Sequence, residues 1–310
     1  MESSLRARRP ETRNPHDPNK VPSTRHERHG PKLLTWTQLP EWAKDNEYIQ
    51  TAYRPISNSY RACLISILHL HNETGNINSH LLATAWMLAV PVYLRPLALS
   101  HYPAASADDG VIFGLFFLGG AICFSLSTAH HLVSSHSHAV HNVYHRLDLL
   151  GISAVTAGCF PPGMWYTFPC LARNTKIFWI SLDLIAQFFA AIVVLFVPRF
   201  RRPSYRAIRG ILFSFMASSA FYPIIYACFI HGYRKMDVEA GANRYVLTVF
   251  TYVTAVTIYA TRIPERWSPG IFDLWGQSHQ IFHVLMAVGL TVHFSAFAKA
   301  FDYAQTIKRC

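Results

Sequence analysis

Charged side chains are scarce in this chain: Asp, Glu, Lys and Arg make up 15% of its 310 residues, against about 25% in a typical soluble domain. The charges are also clustered, so long stretches contain none. The six cysteines include no CxxC pair, which disfavours a disulfide framework. Positions 1–20 lack an apolar core, so we expect no cleavable signal peptide. Although this length could hold two soluble domains, these shortages favour one membrane domain.

The charge that is present is mostly basic. The 28 Lys and Arg against 17 Asp and Glu give a formal net charge of +11, but eight of the basic residues lie within positions 1–32. Residues 1–35 show no apolar periodicity and are predicted to form a disordered basic cytoplasmic tail. The excess charge therefore lies outside any folded core, and we expect no nucleic-acid partner. Residues 36–76, which mix aromatic and charged side chains, are predicted to form an interfacial or cytoplasmic helical segment.

Apolar stretches account for most of the remaining chain, of which 51% is hydrophobic overall. A bilayer core of about 30 Å requires about 17–25 apolar residues per helix. Seven stretches meet this length, and the first is interrupted by Pro91, Arg95 and Pro96 in its second half. They are 79–99, 111–131, 149–168, 177–197, 210–230, 245–262 and 278–298. The sequence therefore predicts an all-α membrane protein, with a seven-helix domain over residues 77–300 and a short tail at 301–310.

The distribution of Lys and Arg predicts the orientation in the membrane. With a cytoplasmic N-terminus, 19 of the 28 basic residues face the cytoplasm and nine face the other side. The long tail counts weakly, but the short loop 199–209 is strongly basic and lies on the same side as the tail. We therefore expect a multi-pass protein of the plasma membrane or endoplasmic reticulum, with its N-terminus inside and its C-terminus outside. This orientation is opposite to that of G-protein-coupled receptors.

Three polar clusters lie at the ends of predicted helices, and the first covers residues 71–80. Glu73, Asn76 and His80 are spaced i, i+3, i+7, so they share one face of a helix. A glutamate at this position can stabilise a helix N-terminus. We therefore interpret this cluster as a structural motif and not as part of the chemistry.

The second cluster covers residues 125–152. Ser127 and His131 are neighbours at the end of the second predicted span, and Asp148 opens the third after a predicted loop of 16 residues. Because this loop is too short to cross the bilayer, all three residues are expected at one membrane surface. His131 shares the face of Ser127, whereas the loop histidines at 136–145 are expected to be solvated.

The third cluster covers residues 264–294, where His279 and His283 have the i, i+4 spacing that lets two imidazoles bind one metal. Packed histidines fit this spacing too, but ionisable groups in membrane segments are costly and usually functional. The predicted topology brings all three clusters to the cytoplasmic side. His131, His279 and His283 then form a candidate intramembrane Zn²⁺ site, open to water as in catalytic zinc proteins. Asp148 is the candidate general base, and Ser127 the candidate donor to a developing oxyanion.

These motifs together resemble the progestin and adipoQ receptor family, which includes adiponectin receptors and haemolysin-III-related proteins. The matching strings are ExxNxxxH from Glu73, SxxxH…D from Ser127 and PE…HxxxH from Pro264, and the flanking text is similar to fungal-type members. The resemblance covers roughly residues 48–296. It implies seven helices, a zinc bound by the three histidines, a lipid-accessible cavity, and ceramidase-like hydrolysis. Asn78 and the histidine-rich loop 136–145 depart from the family pattern.

Two classes of function stay open from the sequence. The first is a zinc-dependent membrane hydrolase that acts on a lipid amide or ester such as ceramide and is linked to lipid or zinc-homeostasis signalling. The second is a receptor for an extracellular ligand, in which the zinc is purely structural. A zinc transporter is the weakest alternative, because only Asp183 lies well inside a predicted helix. A water in the fourth coordination position favours the hydrolase, and a protein side chain there favours the receptor.

Overall fold

The computed structural model describes residues 32–197 and 203–307. Within them the chain is mostly helical, and its only bridge between extended segments pairs Leu34 with Tyr53. Most of the predicted tail 1–35 and the final residues 308–310 lie outside the described residues. The ten helices of the described part are α1 Tyr60–Ile65, α2 Thr74–His101, α3 Ala107–Val133, α4 His138–Thr167, α5 Arg173–Phe196, α6 Arg206–Ser218, α7 Tyr222–His231, α8 Tyr233–Ala240, α9 Ala242–Thr261 and α10 Ser278–Thr306.

Five helical stretches are long and apolar enough to cross a membrane. They are Thr74–His101, Ala107–Val133, Arg173–Val193, Ala207–His231 and Ser278–Thr306. Large apolar side chains such as Phe188, Phe189 and Phe229 are exposed on these helices, as expected for surfaces that face lipid. The prediction of a mostly helical membrane protein is therefore confirmed. α4 and α9 coincide with the other two predicted spans and have 30 and 20 residues.

The predicted interruption of the first span does not end a helix, since α2 runs through Pro91 and Pro96 as far as His101. The predicted 16-residue loop before Asp148 is wrong. α4 already begins at His138, where the Ser137 hydroxyl accepts a hydrogen bond from the backbone N–H of Val140 and caps the helix. Residues 134–137 are thus the whole connection between α3 and α4, and Asp148 lies almost three turns inside α4.

Small residues let α3 and α4 pack with their backbones close together. A Cβ atom on Gly119 of α3 would lie 2.5 Å from the carbonyl oxygen of Ala154, and one on Gly158 of α4 would lie 2.6 Å from that of Leu115. Such distances leave no room for a side chain. The contact fixes the end of α3 beside the first half of α4, which is where the polar residues of the second cluster lie.

The segment before α2 forms short turns rather than one interfacial helix. It contains 3₁₀ turns at Trp36–Gln38 and Glu41–Ala43, followed by the six-residue helix α1. The stretch 46–54 is fixed to the loop before α10, because the carboxylate of Asp273 accepts hydrogen bonds from the backbone N–H groups of Gln50 and Thr51 at 2.9 and 2.8 Å. This segment lines one wall of the cavity described below.

Candidate metal centre

His131 lies in the last turn of α3, and its ring is oriented by a carboxylate. Its Nδ1–H donates to Oε2 of Glu73 over 2.7 Å, which leaves Nε2 as the nitrogen with a lone pair. The same Oε2 accepts a 2.6 Å hydrogen bond from the side-chain amide of Asn76. Glu73 stands at the N-cap position of α2, and its side chain makes no cap hydrogen bond there. A carboxylate on the far nitrogen of an imidazole is the usual support of a metal-binding histidine.

His279 and His283 occupy the first two turns of α10. Nδ1 of His283 lies 3.2 Å from the backbone oxygen of Asn76, an acceptor that again leaves Nε2 for a metal. Nε2 of His279 lies 3.2 Å from Nε2 of His131. Two nitrogens bound tetrahedrally to zinc at 2.0–2.1 Å are about 3.3 Å apart.

The three histidines of α3 and α10 therefore meet the basic requirement of a metal site. One nitrogen from each of His131, His279 and His283 lies within 4.8 Å of the other two. The donor set is three imidazoles, which suits zinc and other first-row divalent cations. Only this group of three histidine, cysteine or acidic side chains converges so closely in the part of the chain that the structure describes.

Ser127 and Asp148 lie beside this group. The sequence predicted Asp148 at the start of a helix, whereas it lies inside α4. Ser127 is buried one turn before His131, and both Ser127 and Asp148 line the cavity beside the three histidines. Asp148 reaches the group from the interior of α4 and interacts electrostatically with His131. The structure thus brings together all five residues predicted to carry the chemistry.

The motif of Glu73, Asn76 and His80 contacts two of the three histidines. The His80 ring stacks on His283 with a centroid separation of 3.6 Å and an angle of 5° between the rings. Asn76 contacts both Glu73 and His283. These three residues hold His131 and His283 in place without themselves belonging to the converging group.

A cavity of about 660 Å³ connects these residues to the interior of the helix bundle. Its polar end is lined by the three histidines, Ser127 and Asp148, and its far end reaches His293, about 15 Å further along α10 at 1.5 Å per residue. The walls between these ends are mostly apolar and aromatic. They include Phe124, Ile152, Val155, Phe221, Tyr252 and Leu290.

Arg54 supports the site, and sequence reasoning missed it. It is buried, and its guanidinium donates to the backbone oxygens of His131 and Leu132 at 2.6 and 2.8 Å and to the hydroxyls of Ser66 and Ser134. A cation at the last carbonyls of a helix also opposes the negative end of the helix dipole. Burial lowers the pKa of Arg54. A single arginine in an irregular segment gives no periodic signal from which this role could be predicted.

Glu265 supports the N-terminal end of α10, as Arg54 supports the C-terminal end of α3. Its side chain is fully buried and accepts hydrogen bonds from the Ser278 backbone N–H at 2.7 Å, from the Ser278 hydroxyl, and from Asn46 at 3.0 Å. A carboxylate at this position stabilises the helix N-terminus that presents His279. The Pro264–Glu265 pair was part of the predicted motif, but its contact with Ser278 required the fold.

Sequence comparisons identify relatives of the chain. The haemolysin-III-related family matches residues 68–294. An adiponectin receptor protein of Drosophila melanogaster is 32% identical over 281 residues, which cover 90% of this chain and 62% of that protein. A progestin and adipoQ receptor-like protein of Caenorhabditis elegans is 34% identical over 263 residues, covering 85% and 59% respectively. An ADIPOR-like receptor of Saccharomyces cerevisiae is 26% identical over 271 residues, covering 87% and 84%. The chain spans about three fifths of the length of the first two relatives.

The apolar helices and the histidine-lined cavity define an integral, multi-pass helical membrane protein with a group that could hold a metal ion. The chain belongs to the haemolysin-III-related family, together with the adiponectin and progestin and adipoQ receptors. The family resemblance expected from the three motifs is thereby confirmed.

Proposed function

We propose that the protein is a zinc-dependent membrane hydrolase acting on a lipid amide or ester. The observation that carries this proposal is the Ser127–Asp148 pair beside three converging imidazoles at the polar end of an apolar cavity. His131, His279 and His283 would hold the zinc. When bound, zinc supplies Lewis acidity and lowers the pKa of a neighbouring water toward about 7.

The remaining chemistry belongs to the side chains of the chain itself. Asp148 orients the attacking water and accepts its proton on a carboxylate oxygen, then returns that proton to the leaving amine or alcohol. The Ser127 hydroxyl, which lines the same cavity, donates a hydrogen bond to the developing oxyanion. Arg54 holds the C-terminal end of α3 and Glu265 holds the N-terminal end of α10. These contacts keep His131 and His279 facing each other.

The shape of the cavity favours a substrate with a polar head and an acyl chain. Its volume of about 660 Å³ is within the usual range for small-molecule sites. The apolar wall between Phe124 and Leu290 would accept the chain while the amide or ester carbonyl lies at the histidines. Ceramide-like lipids have this form, and membrane lipids can approach through the exposed apolar faces of the helices.

The same proposal includes the orientation and organisation expected from the sequence. α4 and α9 join the five apolar spans to give seven crossings, with the N-terminus and the metal site on the cytoplasmic side. Residues 77–300 form the membrane domain, flanked by the basic tail 1–35, the segment 36–76 and the tail 301–310. The basic loop 199–209 supports this orientation through its position between two helices that follow α4.

Asp148→Asn tests the hydrolase most directly, because it retains the shape of the side chain and removes the base. We expect turnover of a ceramide-like substrate in detergent to fall by about 10²–10⁴, with bound zinc unchanged by mass spectrometry. Ser127→Ala should lose less activity. Asp302→Asn, a change at the surface of α10, serves as the control. Absence of turnover above the metal-free protein, for any lipid amide or ester, would rule out the hydrolase.

The second candidate function is a receptor with a structural zinc. It is favoured by the names of the relatives, which describe receptors for adiponectin or progestin in other organisms. In that case the metal would brace α3 against α10 and an extracellular ligand would alter their packing. Zinc that is retained by a protein with no hydrolytic activity, and whose fourth ligand is a side chain, would favour this function.

A further inference from the structure

A second group of histidines lies next to the candidate zinc centre, on the side that faces α4. This second histidine cluster consists of His130, in the last turn of α3, and His141 and His145, one turn apart near the start of α4. The expectation that the histidines at 136–145 belong to a solvated loop is wrong for the last two. His141 and His145 lie on a helix, are partly buried, and contact the buried ring of His130.

The spacing of these rings is that of imidazoles around one metal. The centroid separations are 5.2 Å for His130–His141, 5.2 Å for His130–His145 and 5.9 Å for His141–His145. Zinc–nitrogen bonds of 2.0–2.1 Å at tetrahedral angles place ring centroids about 5 Å apart. The ring centroids of His131, His279 and His283 are separated by similar distances of 5.0, 4.8 and 4.6 Å.

The nitrogens of the second cluster do not yet converge on one point as those of the first group do. Rotation of the rings about χ2, a torsion with broad minima, is the movement that would bring them together. The ring centroids are already at the separations expected for imidazoles around one metal.

Two nitrogens of the cluster are buried without a partner. Nδ1 of His130 and Nδ1 of His141 have no hydrogen bond. Buried polar atoms are nearly always satisfied, so each such atom calls for an explanation. An unsatisfied imidazole nitrogen is available to bind a metal ion.

The charges around the cluster are mixed. Asp45 interacts electrostatically with both His141 and His145, and it contributes the negative charge that favours a cation. Arg209 opposes it on the side of His145, and it also interacts with Asp148. Trp42 packs on the outer face of His141 with ring centroids 5.5 Å apart. Three neutral imidazoles can bind a cation between the opposite charges of Asp45 and Arg209. Because Arg209 repels a cation, we expect this site to bind metal more weakly than the first group.

We propose that His130, His141 and His145 form a second binding site for a first-row divalent cation such as Zn²⁺. Imidazole donors suit this class of metal. The site does not depend on the hydrolase, and it adjoins the first because His130 precedes His131 with ring centroids 5.1 Å apart. A protein with both sites filled holds two cations per chain.

Zinc binding by the full chain in detergent tests the proposal, measured by equilibrium dialysis against micromolar Zn²⁺ followed by mass spectrometry of the metal. The wild type should bind about two zinc ions. His141→Ala and His145→Ala should each bind about one, and so should His279→Ala, which removes a ligand of the first group only. The combined change His141→Ala with His279→Ala should bind none.

His136→Ala is the matched control, since His136 is a histidine of the same segment whose ring packs on Tyr60, with ring centroids 4.3 Å apart. It should still bind two. One zinc in the wild type, or equal loss in the His136 and His141 variants, would overturn the proposal. If the variants do not remain monodisperse, the wild-type stoichiometry alone decides, because one ion per chain leaves no second site.

Discussion

At the scale of single residues, the most informative feature is that two of the three candidate ligands are oriented by a neighbour from another part of the chain. Glu73 precedes α2, yet its carboxylate accepts from His131 of α3 over 2.7 Å. The Asn76 backbone oxygen does the same for His283 of α10. Three helices therefore determine the direction of the ligand nitrogens, and the strength of metal binding should depend on residues that never touch the metal.

Glu73→Gln should weaken zinc binding without unfolding the protein. The amide keeps the size of the side chain but loses the negative charge that raises the basicity of the His131 ring. Changes of this kind usually reduce metal affinity by about 10–100-fold. Competition with a chelator of known affinity measures the effect, and Glu239→Gln, at a carboxylate that contacts only Tyr303 in the described structure, is the control. Equal zinc affinity in the Glu73 variant and the wild type would contradict this role.

At the scale of helices, the contact between α3 and α4 decides whether the site forms. Gly119 and Gly158 allow a backbone approach that places Ser127 and His131 beside Asp148. α4 starts early enough for His141, His145 and Asp148 to share one helix. The connection of four residues between α3 and α4 leaves their ends little freedom to separate.

Gly119→Ala should destabilise the protein, because the added methyl group would lie 2.5 Å from the Ala154 carbonyl oxygen. Overpacking of this kind costs about 1–3 kcal/mol. Gly114→Ala, on the same helix with nothing within 4 Å of the new methyl group, should be neutral or slightly stabilising because alanine favours helix. Thermal unfolding in detergent compares the two. Equal melting temperatures for both variants would show that the α3–α4 contact is looser than described.

Helices and ligands could be predicted from the sequence to different extents. The apolar lengths indicated the positions of the long helices, and the i, i+4 spacing of His279 and His283 in an apolar run identified two of the three histidines that converge. The start of α4 was missed because its first turns are rich in histidine, although Ser137 is a helix cap and Val140, Tyr144 and Leu147 recur at helical spacing. Arg54 and Glu265 act through contacts between distant segments, which no local pattern reports.

At the scale of the whole molecule, the residues of the candidate metal centre lie together at one end of the cavity. His131, His279, His283 and Arg54 line the cavity, and exposed apolar side chains cover the long helices. A bilayer around those helices would leave this end near one membrane surface. In the orientation proposed above, that surface is the cytoplasmic one.

Glycosylation acceptor tags at the two ends of the chain should show opposite behaviour. We expect a tag at the C-terminus to be modified and a tag at the N-terminus to stay unmodified, because an odd number of crossings separates a cytoplasmic N-terminus from the other side. Protease protection of sealed vesicles gives a second measurement. Modification of both tags, or of neither, would mean an even number of crossings and would remove α4 or α9 from the membrane.

The central claim is a zinc ion between α3 and α10, with a fourth position open to water. Anomalous diffraction at the zinc absorption edge, from crystals of the full chain, tests it directly. We predict a peak about 2.0–2.1 Å from nitrogens of His131, His279 and His283, with a water as the fourth ligand on the side of Asp148. The absence of a peak among these three histidines would contradict the zinc site, and a protein side chain in the fourth position would contradict the hydrolase.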